Sequence, residues 1–201
     1  MQPRGPGLPA LVQIAGYHEA GHALACLWQG FWVETIAVYR HTPGAGTTHF
    51  RLTDLENPHD PASGPGIAKV AWQVEYHNAR RLMRVMLAGP LAEAKAVGRP
   101  LRSLGSEPDL VACKEIVRHL YRYWQSLPQE AGVEWPGGRM INTTRDEVRR
   151  WLRQHQNWER VRWAGILLAR LRKMSGDQLA EMVSDRGLPR GQRRLGLARH
   201  R

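Results

Sequence analysis

Cysteine is scarce in this chain: Cys26 and Cys113 are the only two, too few for a disulfide framework. A reduced, cytoplasmic setting is therefore expected. No stretch approaches the roughly 20 apolar residues that a spanning helix needs. The short apolar run from Ala10 to Gly16 ends at His18-Glu19, which makes a poor secretory signal. Ser126, Ser175 and Ser184 lack the setting of a nucleophile elbow, and there is no internal repeat. Recognition-helix and zinc-finger spacings are missing too, so specific DNA reading is not expected. These absences exclude a polytopic membrane protein and a disulfide-stapled module. What is present is ordinary for a folded domain: 201 residues, 42% hydrophobic and 23% charged.

Lysine is the rarer cation, four against 25 arginines, and the formal charge is +11. Six of those arginines (Arg186, Arg190, Arg193, Arg194, Arg199 and Arg201) lie at the end of the chain with no acid among them, and the remainder carries +5. Half of the excess charge thus belongs to a tail, read as disordered and solvated over 185–201. Such a tail can also touch nucleic acid or an acidic partner.

Residues 1–8 are rich in Pro and Gly and read as a flexible lead-in to a folded domain over 9–184. Helical spacing runs from Pro9 to Gln29, with Gly30 as the stop. Phe31–Tyr39 is β-branched and aromatic, Thr42–Gly46 is a turn, and Thr47–Leu52 returns as a second strand. Asn57–Gly66 reads as a loop. Helical spacing resumes at Ile67 and runs toward Gly98, with Pro90 expected to kink or divide it. Arg99–Pro108 is a loop, Asp109–Ser126 an amphipathic helix, and Pro128–Asn142 another loop. Thr144 to Glu147 has capping-box form and is expected to open one long helix to Lys173; Ser175 to Gln178 has the same form and opens a last short one. Trp151 and Trp158, seven apart, are read as core or interface, and both cysteines as buried hydrophobes. The sum is a mainly α-helical (α+β) chain with one small hairpin.

The sharpest signal is His18-Glu19-Ala20-Gly21-His22, an H-E-x-x-H sequence inside the first helix. Residues four apart share a helical face, so both imidazoles can reach one ion of the zinc type. Glu19 lies about 100° around the helix, beside the metal, where it can serve as a general base. Gly21 lets another segment approach the helix closely. Random order gives roughly 0.02 such matches in a chain of this length and composition, so coincidence is a weak explanation. A catalytic zinc needs a third protein ligand and an open position. Glu93, Glu107, Asp109, His41, His49, His59, His77 and His119 are the candidates; Asp109 is attractive because it starts a helix after a Gly- and Pro-containing loop.

His18–Ala23, HEAGHA, resembles the zinc-binding helix of the FtsH protease family. The strand pair after it, Leu87–Glu93 (LAGPLAE), Ser103–Leu110 (SLGSEPDL) and the closing helices from Glu147 to Leu179 resemble further segments of that family's peptidase domain in the same order. The resemblance spans roughly residues 10–183. It implies a zincin-like metal helix with a small hairpin and a C-terminal helix bundle, with zinc on His18, His22 and Asp109. Glu19 would be the catalytic base, and Glu93 an outer residue behind the ligands or a rival ligand. The strand around Thr47, Thr48, His49 and Phe50 would pair with an extended polypeptide substrate.

The chain has no G-x-x-x-x-G-K-S/T sequence and no room for an ATPase module before His18. The resemblance therefore implies the peptidase part alone, an endopeptidase that cannot use ATP by itself and whose partners are a polypeptide and either a separate ATPase or copies of itself. The other expectation is a non-proteolytic adaptor or regulator that keeps the metal helix for stability or for partner binding and uses its arginine tail on nucleic acid or an acidic partner.

Overall fold

The computed structural model describes residues 11–42, 44–52, 64–99 and 107–184. The lead-in 1–8, the basic tail 185–201, most of the loops around 57–66 and 99–108, and His59 lie outside the described residues, as does the side chain of Glu107. In chain order come α1 (Leu11–Gln29), β1 (Trp32–Val38), β2 (Gly46–Arg51), α2 (Pro65–Val97) and α3 (Glu107–Gln125). After two single 3-10 turns, Gln129–Ala131 and Gly137–Arg139, follow α4 (Met140–Arg153), α5 (His155–Leu171), β3 (Lys173–Ser175) and α6 (Gly176–Ser184). The described chain is mainly helical with one small antiparallel sheet, ordered β2-β1-β3.

The first helix is buried on nearly every side because it is built of small residues: Ala15, Ala20, Ala23, Ala25 and Cys26 are all enclosed. It packs against α2 on one side, α5 on another and the sheet on a third. At Gly21 the neighbouring helix comes so near that a Cβ would lie 2.5 Å from the Ala88 carbonyl oxygen, so the close approach expected of this glycine is made by α2. On β1 the buried residues are Val33, Ile36 and Val38. Two of them, three apart, share a face because the pairing with β2 slips between Val33 and Thr35, a bulge that resets the alternation. Ile36 then sits opposite Thr48 on one side and Met174 on the other.

Four expectations are corrected. First, of the two expectations for Pro90, a kink or a division, division does not occur: α2 runs unbroken from Pro65 to Val97. An interior proline costs about 3 kcal/mol, but Val85, Leu87 and Leu91 around it are buried at about 2 kcal/mol each, which outweighs it. Second, the long closing helix is two helices. Gln154 takes an extended conformation with ψ 122°, and the Trp151 carbonyl accepts both the Gln154 amide at 3.2 Å and Asn157 Nδ2 at 3.1 Å. Third, Thr144 does not cap a helix start. Its helix begins at Met140, whose carbonyl accepts the Thr144 hydroxyl at 2.8 Å, and Glu147 instead faces Arg80 and Arg84 of α2. Fourth, a third strand exists, too short at three residues to show a period.

The other capping box forms as read. Ser175 Oγ accepts from the Gln178 amide at 3.2 Å, and Gln178 Oε1 accepts from the Ser175 amide at 2.9 Å. Trp151 and Trp158 end up on different helices, the first stacked on Trp28 at 5.0 Å and the second beside Tyr17. Both cysteines are buried.

Candidate metal centre

On α1, His18 and His22 project from one face toward α2 and α3. Each ring is held from behind. His18 Nδ1–H donates to Glu93 Oε2 at 2.8 Å, and His22 Nδ1–H donates to the Val85 carbonyl at 2.8 Å. A carboxylate and a carbonyl only accept, so both protons sit on Nδ1 and both Nε2 atoms present lone pairs in the neutral rings. Those two Nε2 atoms stand 3.0 Å apart. Asp109 at the start of α3 completes the group, with Oδ2 3.1 Å from His18 Nε2 and Oδ1 3.4 Å from His22 Nε2.

Three lone-pair donors facing one another at this range repel unless a positive charge lies among them. Ligands at 2.0–2.1 Å from a tetrahedral zinc would be about 3.3 Å from each other. The observed separations fall around that value, and the donor set of two imidazoles and a carboxylate suits zinc. Among the described residues, these three form the group whose ligand atoms can share one ion. Without an ion, a proton on the His18 Nε2 fills the place of the positive charge. Burial opposes a charge on His18, yet the carboxylates of Asp109 and Glu93 outweigh it and raise the imidazole to about 9. Burial likewise opposes charge on Asp109, but the protonated His18 ring, with His22 beside it, holds its carboxyl well below the usual range.

Of the alternative ligands, Glu93 stands behind His18 and orients it rather than facing the ion. His41, His49, His77 and His119 are exposed and outside the cluster. Glycine makes the geometry fit at two places. A Cβ on Gly89 would lie 2.3 Å from His22 Nε2, so only a residue without one lets α2 lie flat under that ring. A Cβ on Gly46 would lie 2.5 Å from Glu19 Cγ, so the start of β2 is open to the glutamate.

Glu19 is 6% exposed and its Oε2 accepts the Thr48 hydroxyl at 2.7 Å. A buried carboxylate with a hydrogen-bond donor of this kind is fixed in direction. It opens onto the same cleft as the metal ligands, a hollow of about 670 Å³ whose walls include Leu11, Ile14, Phe50 and Met86. Of the strand residues expected to meet a substrate, Thr47, Thr48 and Phe50 line this cleft, whereas His49 is exposed and does not. β2 is the outer strand of the sheet on that side.

Sequence reasoning missed the Val85 carbonyl, the glycines at 46 and 89, and the tie between Thr48 and Glu19. Only the last had a signal, a threonine on a strand expected beside the metal helix. No protein-family model matches the chain, and a search of curated proteins finds no match either.

Proposed function

We propose that this protein is a zinc-dependent peptidase that cleaves unfolded segments or peptides. One observation carries the reading. Two imidazole lone pairs and a carboxylate converge on a single point, each imidazole is locked from behind, and a buried glutamate adjoins them in an open cleft. The resemblance to the FtsH peptidase domain supports the same reading.

His18, His22 and Asp109 would hold the ion. A divalent cation there supplies a Lewis acid, polarising the scissile carbonyl and making water acidic enough to attack it at neutral pH. Glu19, aimed by Thr48, takes the proton of the attacking water on its carboxylate and delivers it to the departing amine. Glu93 and the Val85 carbonyl keep the imidazole tautomers fixed. The outer edge of β2 accepts an extended chain by strand addition, which favours unfolded polypeptide over a folded domain.

The test is metal analysis of the purified protein together with cleavage of casein by the wild type and by Glu19→Gln. About one zinc per chain, with cleavage by the wild type and a loss of 10²-fold or more in the variant at unchanged zinc content, supports the reading. Equal cleavage by both removes Glu19 as the base. Bound zinc without cleavage of any unfolded substrate points instead to a metal-stabilised adaptor.

A further inference from the structure

Arg99 follows the end of α2 and lines the cleft. The same residue lines a second hollow of about 270 Å³ between the C-terminal turns of α2 and α4. Lys95, Arg149 and Arg153 share that hollow with it, and no carboxylate residue lines it among the described residues. Lys95 donates to the Leu152 carbonyl at 2.6 Å and lies over the Trp158 ring. Arg149 meets exposed Asp146 at 3.3 Å. Arg99 and Arg153 have no side-chain partner among the described residues.

Helix dipoles account for part of this. Lys95 and Arg153 stand in last turns, where cations complement the carbonyl ends. Arg99 lies beyond the end of α2 and Arg149 a full turn earlier on α4, so the dipole does not call for either. Four cations around one concavity repel each other, and an anion in it would relieve them. The position of the hollow narrows the choice of anion. Arg99 lines both the cleft that holds the metal ligands and this hollow, so a polypeptide lying in the cleft can reach it.

We infer that the hollow at Lys95, Arg99, Arg149 and Arg153 is a subsite for acidic side chains of the polypeptide held in the cleft. That a substrate lies in the cleft rests on the peptidase reading; the preference for acidic peptide does not. The small volume, about 270 Å³, favours side-chain carboxylates over a nucleic-acid backbone, which is followed by cations strung along a surface. Acidic segments would also be drawn toward the cleft by the field of the cluster.

Zinc-loaded full-length protein carrying Glu19→Gln, to prevent turnover, is titrated into a dye-labelled dodecapeptide containing Asp-Asp-Glu and into its Asn-Asn-Gln counterpart, with anisotropy as the readout. The acidic peptide should bind about tenfold tighter at low salt, and the gap should close at high ionic strength. Arg99→Gln and Arg153→Gln should each weaken it several-fold. Arg170→Gln, an equal loss of charge on an exposed face of α5, should not. Equal binding of the two peptides overturns the inference. So does an equal effect of Arg170→Gln, which would reduce the result to net charge. Displacement of the acidic peptide by oligo(dT) that binds tighter through the same arginines would overturn it in favour of nucleic acid. If the wild type cleaves nothing while the acidic peptide still depends on Arg99, the peptidase reading falls and the subsite stands.

Discussion

His18 and Glu93 meet across two helices, ring nitrogen to carboxylate oxygen at 2.8 Å, and the bond leaves the far nitrogen of the ring facing Asp109. Glu93 therefore contributes to metal binding without touching the ion. Glu93→Gln keeps an acceptor but loses the charge, and zinc affinity should fall 10- to 100-fold. A competition titration against a chelating dye measures it; unchanged affinity would remove Glu93 from the site.

Gly89 faces the other ring. Gly89→Ala puts a methyl group where the His22 ring now lies, at 2.3 Å from Nε2. The imidazole or the helix must move. Zinc affinity should drop at least tenfold while far-ultraviolet circular dichroism stays helical. Wild-type zinc binding in a well-folded variant would contradict the described contact.

Thr48 is expected to act through Glu19. Thr48→Val keeps the shape and removes the hydroxyl, leaving Glu19 Oε2 without that donor. A hydrogen bond to a charged group is worth about 1.5–3 kcal/mol, so kcat should fall about 10- to 100-fold with zinc content unchanged. Thr48→Ser should restore kcat. A fall in KM alone, or no rescue by serine, would make Thr48 merely structural.

Burial pushes the Cys113 thiol up to about 12, and burial also raises Cys26 well above its usual value. Both stay protonated in the folded protein when the unfolded chain has begun to ionise near pH 9. The sign is then fixed: above pH 9 the unfolded state loses protons that the folded state keeps, so stability falls as pH rises. Denaturant midpoints at pH 8 and pH 10 measure this. Iodoacetamide at pH 8 should label both thiols only after unfolding; rapid labelling of the native protein would show them accessible.

The two capping-box sequences show what could be read in advance and what could not. Ser175 and Gln178 sit where nothing else competes for them, and the reciprocal bonds form as the local pattern implies. Thr144 and Glu147 have the same form, but Arg80 and Arg84 reach across from α2 and take the glutamate. A tertiary ion pair overrides the local signal, and no inspection of four residues reveals it. The site divides in the same way. His18, Glu19 and His22 are legible because helical geometry alone brings them together. Asp109 was one of several candidates until the packing of α3 against α2 selected it. The Val85 carbonyl left no trace in the sequence, since any residue offers a carbonyl and only the fold decides which one meets a ring. Strand β3 escaped notice because three residues are too few to display an alternation, and its pairing with β1 is set by the chain's path after α5.

The outer margin of β2 also carries a hazard. A row of backbone groups free to pair with an arriving chain is equally free to pair with another misfolded copy, the first step toward fibres. Brevity limits that danger: the strand is six residues long, and it ends in Arg51, which pairs with Glu34 across the sheet. A strand that stays short and finishes in charge can welcome a passing chain while giving a growing aggregate little to hold.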